Sequence, residues 1–132
     1  MFNELARQTL QKPLTARVST IDEKGYPHTV PVWFMLDGDE VVIFGSPNSK
    51  KVLNAQKNPK GAITIGGDVH TEPGYMLQGE WVVEPEGNWP ETITRHYLPN
   101  PVEADALLKS WEGSVSAVMR LKPKSVVKVA GS

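Results

Sequence analysis

The chain has 132 residues, with 14 Lys and Arg against 15 Asp and Glu for a net charge of −1, and eleven Gly with eleven Pro. That composition is turn-rich but short of low complexity, and the length suits one domain over residues 1–132. The lack of cysteine excludes disulfide frameworks, thiolate metal sites and cysteine nucleophiles. Near-neutral charge argues against a dedicated nucleic-acid binder, and no run nears the roughly 18 apolar residues of a membrane span.

Glu4 and Arg7 stand where a signal peptide would need an apolar core, which points to the cytoplasm. Phe2, Leu5, Ala6 and Leu10 recur near helical spacing, with Asn3 as a candidate cap, and predict a short helix over 3–11 stopped by Pro13. From Leu14 the period changes to two. Leu14, Ala16 and Val18 share one face of a strand, and Thr15, Arg17 and Ser19 take the other. Asp22-Glu23-Lys24-Gly25 is turn chemistry.

A second strand is predicted over 27–36, with Val30, Val32, Phe34 and Leu36 on one face and Trp33 and Met35 opposite. Pro31 has no N–H for a ladder, so this strand belongs at an edge or a bulge, or turns its missing donor toward a ligand. Asp37-Gly38-Asp39 makes a hairpin into a third strand, 40–45. A helix capped by Asn48 or Ser49 runs to about Lys57, where Asn58-Pro59 stops it. Strand four is 61–66, and strand five runs from Gly74 to about Val83. Trp89, Ile93 and Tyr97 mark one helix. Asn100-Pro101-Val102-Glu103 opens another, which Gly113 ends. Strands over 114–122 and 125–130 close the chain. Six or seven strands with short links and inserted helices predict a mainly β fold, a small antiparallel barrel.

The richest stretch chemically is Ser46-Pro47-Asn48-Ser49-Lys50-Lys51, between a strand and a helix. A helix N-terminus offers unpaired N–H donors and a positive dipole end, so anions are favoured there and a cation costs about 0.3–1 kcal/mol. This helix instead carries two lysines in its first turn beside two serines and an asparagine. A bound phosphate would reverse the sign, taking hydroxyls, amides and ammonium groups together. With no such ligand, Asn48 or Ser49 is merely a cap and the lysines point to water. The GxxxxGK[ST] pattern of a P-loop is absent.

Other candidates are weaker. Asp68-Val69-His70-Thr71-Glu72 alternates potential ligands, but a polar loop does so easily, and no metal site is predicted. His28 reads as a packing or hydrogen-bonding residue, and no G-x-S-x-G elbow exists. Glu84 and Glu86 read as solvated loop carboxylates. Trp33, Tyr75, Trp81, Trp89 and Trp111 could stack a planar ring, although core packing is the default. Arg120, Lys122, Lys124 and Lys128 form a basic terminal hairpin, either a solvated face or the lining of a pocket for an anion.

The order of motifs goes beyond composition. A strand ending in STIDEKGYPHTVPVWF leads into the hairpin DGDEVVIFGS, then SKKVLNAQKNPKGAITI, then the strand GYMLQGEW. Over about residues 14–83 this resembles the pyridoxamine 5′-phosphate oxidase-like superfamily of flavin-binding split β-barrels, and the closing RLKPKSVVKV fits its final strands. The resemblance implies an antiparallel split barrel that binds flavin mononucleotide (FMN) at a homodimer interface. It places Val30, Pro31, Val32 and Trp33 against the isoalloxazine ring, and Ser46 with Lys50 and Lys51 on the phosphate; Asn48 joins them from the local reading. Tyr75 and Gln78 become candidate contacts to the cofactor across the dimer. Lys50 replaces a more common Arg, which keeps charge but loses the bidentate fork. Where the true oxidases carry a glutamine, the chain has Gly74, and it lacks their Trp- and Arg-containing final segment, so vitamin B6 oxidation is not expected.

The function so implied is two-electron redox chemistry on a small molecule, with no obligatory acid or base in view. The alternatives are a deazaflavin-dependent reductase of the same superfamily, a non-catalytic flavin or haem carrier, and a cofactor-free barrel acting as an interaction protein. No nucleic-acid or membrane partner is expected.

Overall fold

The computed structural model describes residues 1–68, 73–85 and 87–130. Eleven elements follow in order: α1 (Glu4–Leu10), β1 (Ala16–Ile21), β2 (Pro27–Val32), β3 (Met35–Asp37), β4 (Glu40–Gly45), α2 (Lys50–Lys57), β5 (Lys60–Ile65), β6 (Gly74–Glu84), α3 (Trp89–Tyr97), α4 (Pro101–Ser110) and β7 (Ala117–Ala130). The strands form one seven-stranded sheet in the order β2-β1-β5-β6-β7-β4-β3. Every pairing is antiparallel. The two edge strands, β2 and β3, are joined by Trp33-Phe34 alone, so the sheet curls round until its edges meet through a covalent link instead of a ladder. This is the split barrel that the motif order implies.

Period-two patterning sorts the side chains. Ala16, Val18, Ile63, Ile65, Leu77, Trp81, Met119 and Leu121 face inward and are almost fully buried. Helix α2 contributes Val52 and Ala55 to this interior, and its Asn54 Nδ2 donates to Thr20 Oγ1 at 3.1 Å. Helix α1 adds Ala6 and Leu10. A second, smaller core lies on the outside of the sheet, where Val42 and Val118 meet Ile93 of α3, flanked by Trp33, Phe44 and Tyr97. Two of the helix caps behave as their residue types dictate. Asn3 Oδ1 accepts from the Ala6 amide at 2.8 Å, and Asn100 Oδ1 accepts from Val102 at 2.9 Å.

Three expectations need correction. The strand placed over 27–36 is two strands, because the ladder to β1 ends at Val32 and Trp33 and Phe34 pair with neither neighbour. Pro31 lies in β2, at a sheet edge where its missing donor costs no ladder bond. The two terminal strands are one, β7, since Lys122-Pro123-Lys124 makes a bulge and not a turn. Pro123 pairs with Gly79 and Ser125 with Gln78, which leaves Lys124 as the extra residue. Gly79 permits that bulge: a Cβ there would run into the Lys122 carbonyl oxygen and lie 2.8 Å from Pro123 Cα. Finally, Glu84 is not a solvated loop carboxylate but the last residue of β6, where it accepts from Arg120 Nε at 2.9 Å. Asp37 and Glu40 take the same guanidinium at 2.7 and 3.2 Å. Arg120, 13 % exposed, is thus neutralised by three carboxylates. Burial opposes its charge, but the bonds to Asp37 and Glu84 outweigh that and raise its pKa.

Candidate functional site

Where the barrel splits, the end of the β1–β2 ladder and the residues just beyond it line an open cleft of about 530 Å³. Such a volume suits a drug-sized or cofactor-sized molecule. One wall is Pro31, Val32 and Trp33, the end of β2 and its continuation. Phe44 of β4 and Trp111, which caps α4, also line the cleft, and their rings meet edge to face at 5.7 Å and 69°. Thr15 and Lys51 complete the lining. A recess of about 360 Å³ continues past Phe44 and Trp111 to Ser46, Ser114 and Ser116. The Trp33 ring is stacked from behind by Tyr97 at 4.9 Å and 11°. Burial pushes the Tyr97 phenol up to about 12, against a smaller opposing effect of its bond with the Phe34 amide.

Lys51 gives the cleft its charge. Its ammonium has no acidic partner among the described residues, and burial pushes its pKa below the usual lysine value. It lies across Gly45, where a Cβ would overlap the Lys51 ammonium and come within 2.7 Å of its Cε. Helix α2 begins beside it with no acidic residue in its first turn. The N-cap Ser49 makes no side-chain bond to that turn; its hydroxyl donates to the Ser46 carbonyl at 2.7 Å. The cap's usual service to the first amides is therefore unfilled, next to an unpaired cation. An oxyanion is the chemistry that satisfies both.

The structure separates the sequence candidates. Pro31, Val32, Trp33 and Lys51 line the cleft together, and Ser46 lines the adjoining recess. Val30 packs toward the barrel core. Asn48 is exposed in the loop before α2, its amide donating to Ser46 Oγ at 3.3 Å. Lys50 is not brought to the cleft; its ammonium turns to Glu23 in the β1–β2 turn at 3.9 Å. Tyr75 is 3 % exposed in the barrel core. Gln78 points outward, into a recess of about 440 Å³ with Lys60, Glu80 and Lys124. The sequence reading missed Thr15 and Phe44 and named Trp111 only as one aromatic among several. Phe44 had a signal, since it lies on the same outward face of β4 as Val42 and two residues before Ser46.

His70, with Val69, Thr71 and Glu72, lies outside the described residues. Among the described residues no cluster of potential ligands could hold a metal ion. Neither His28 nor His96 lines the cleft.

Comparison with known proteins agrees with the fold. The sequence profile of the family described as pyridoxamine 5′-phosphate oxidase matches residues 2–129. The chain belongs to the pyridoxamine 5′-phosphate oxidase family. Solved structures share the family's fold at low identity. An F420 reductase superposes with a TM-score of 0.74 and 19 % identity, covering 93 % of this chain and 96 % of its own. General stress protein 26 from Bacillus anthracis gives 0.72 and 17 %, covering 96 % and 92 %. A heme binding protein from Mycobacterium smegmatis gives 0.69 and 22 %, covering 97 % of this chain and 53 % of its own. No curated protein matches the chain. No helix among the described residues is long and apolar enough to cross a membrane.

Proposed function

We propose that the chain is a flavin-dependent oxidoreductase that binds FMN in the cleft beside Lys51, with a second copy of the chain completing the site. The observation that carries this reading is the half-buried, unpaired Lys51 at an uncapped helix N-terminus, on the rim of an aromatic cleft. A phosphate-bearing planar molecule fits both halves: the amides and ammonium take the phosphate, and Trp33, Val32 and Phe44 offer an apolar bed to a ring system. When bound, FMN supplies two-electron redox chemistry, which this cleft of few ionisable groups does not. The chain's part is to hold the phosphate through Lys51 and the start of α2, orient the ring against the Pro31–Trp33 wall, and keep water from the apolar side. Thr15 is the one hydroxyl among the described residues of the lining and can hydrogen-bond a polar ring edge.

The outer face of the sheet supports a homodimer. Across β2, β1, β5, β6 and β7 the register aligns Pro31, Arg17, Thr64, Met76 and Val127, with Thr29, Ser19, Ala62, Gln78 and Ser125 in the next row. Apart from Arg17 and Gln78 these side chains are small or apolar; all are half-buried or exposed, and Pro31 also lines the cleft. A partner on that face would cover the open side of the site. Tyr75, packed in its own core, is then no cross-dimer contact, whereas Gln78 lies on that face.

The deazaflavin reading rests on the F420 reductase neighbour and on the same lysine, since that cofactor also bears phosphate. A haem reading has less support, as neither described histidine reaches the cleft. Absorbance titration with FMN and with a deazaflavin decides between them. Saturable FMN binding at one per chain, with reduction of the bound flavin by a nicotinamide cofactor, is the expected result. FMN binding without turnover by any donor supports the carrier, and no spectral change with either compound refutes the reading.

A further inference from the structure

The β1–β2 ladder ends at Ala16 opposite Val32. Were it to continue in register, Thr15 would face Trp33, and Leu14 would face Phe34. Instead the pairing stops there, and Thr15 and Trp33 both line the cleft. Between the next two backbones lies one side-chain atom. The Tyr97 hydroxyl donates to the Leu14 carbonyl at 2.5 Å and accepts from the Phe34 amide at 3.2 Å. Phe34 is fully buried, so without that acceptor its N–H would lack a partner outside any strand. The Tyr97 ring also backs Trp33 at 4.9 Å. One residue of α3, which does not itself line the cleft, thus holds both of its backbone margins and the ring of its main wall.

From this geometry we infer that Tyr97 is the positioning residue of the site: its hydroxyl is a spacer inserted in the β1–β2 ladder, and it sets the width of the cleft that Thr15 and Trp33 line. A phenyl ring at this position keeps the stack but removes the spacer. Leu14 and Phe34 then close on each other and narrow the cleft, or stay apart with two unpaired groups that admit water. Both outcomes spoil a fitted site. The ligand arm of the test rests on the flavin reading above, so a second arm is independent of it.

The test compares wild type, Tyr97→Phe and, as a control that loosens the same helix without touching the hydroxyl, Ile93→Val. Amide hydrogen exchange at Phe34 and FMN affinity are measured on each. In wild type the Phe34 amide is expected to be protected like those of the β1–β2 ladder. In Tyr97→Phe it exchanges at least tenfold faster and FMN binds about tenfold more weakly, while Ile93→Val leaves FMN affinity within twofold. A wild-type Phe34 amide that exchanges like an open loop overturns the inference whether or not the variant folds. So does a Tyr97→Phe protein with wild-type FMN affinity and Phe34 protection. If wild type takes up no FMN, the flavin reading fails, and Phe34 exchange alone decides the role of Tyr97.

Discussion

Replacing Lys51 with Met should change stability and binding in opposite directions. The ammonium is half-buried and unpaired in the free protein, and it sits at the positive end of α2. Both features oppose its charge. Relieving the dipole alone is worth about 0.3–1 kcal/mol, so Lys51→Met, which keeps length and apolar stem, is expected to raise the melting temperature by about 1–4 °C. Against a phosphate the same ammonium makes a charge-assisted hydrogen bond worth about 1.5–3 kcal/mol, so FMN affinity should fall about 10- to 100-fold. The stability difference should also depend on pH. A lysine whose folded pKa lies below the unfolded value holds fewer protons when folded, so its penalty is complete at neutral pH and fades as pH rises through the folded pKa toward 10.5. The gap between variant and wild type should therefore narrow as pH rises and close only above about pH 10.5. Calorimetry across pH, with fluorescence titration of FMN, measures both arms. Lys50→Met provides the contrast, because its ammonium pairs loosely with Glu23 in water and exposed pairs contribute about 0–1 kcal/mol. If Lys51→Met binds FMN as well as wild type, or Lys50→Met loses as much, the phosphate position is wrong.

Gly45→Ala should displace the Lys51 ammonium, which is the free end of a flexible chain, and so weaken FMN binding severalfold with little change in melting temperature. An unchanged dissociation constant would show that Lys51 need not lie across Gly45 to act. Gly79→Ala meets backbone at the β7 bulge, which cannot yield cheaply, and should destabilise the fold by about 1–3 kcal/mol in urea denaturation. A wild-type midpoint would mean that the bulge tolerates a Cβ. The Tyr97 phenol, pushed up to about 12, should give a tyrosinate phase near that pH, and Tyr97→Phe should remove that phase from the absorbance curve. Because its folded pKa is raised, its contribution to stability is present below pH 10 and lost as pH climbs through about 12. A lost phase centred near 10 would refute its burial.

Much of this was readable from local rules. The turn at Asp22–Gly25, the hairpin at Asp37–Asp39 and the helix limits at Asn58-Pro59 and Asn100-Pro101 depend on neighbouring residues, and the structure keeps all of them. Elements set by distant partners were not readable. The break at Trp33-Phe34 needs the Tyr97 hydroxyl from α3, and nothing within ten residues of Phe34 announces it. Lys122-Pro123-Lys124 looks like a turn until Gly79 is known to lie opposite. Arg120 resembled a ligand-facing cation only while Asp37, Glu40 and Glu84 were far away in sequence. At the site, helix chemistry placed the anion-binding end of α2, but two adjacent lysines point about 100° apart on a helix and only tertiary contacts choose between them. Lys51 turns across Gly45 to the cleft and Lys50 turns to Glu23. Phe44 and Trp111 meet across the chain, which spacing alone does not reveal.

The most direct measurement is a paired titration of the wild-type chain with FMN and with riboflavin, which shares the ring and lacks the phosphate. Lys51 at the start of α2 requires FMN to bind at one per chain and at least about tenfold more tightly than riboflavin, a gap of about 1.4 kcal/mol or more. Equal affinity for the two, or no binding of either, would contradict a phosphate-holding flavin site.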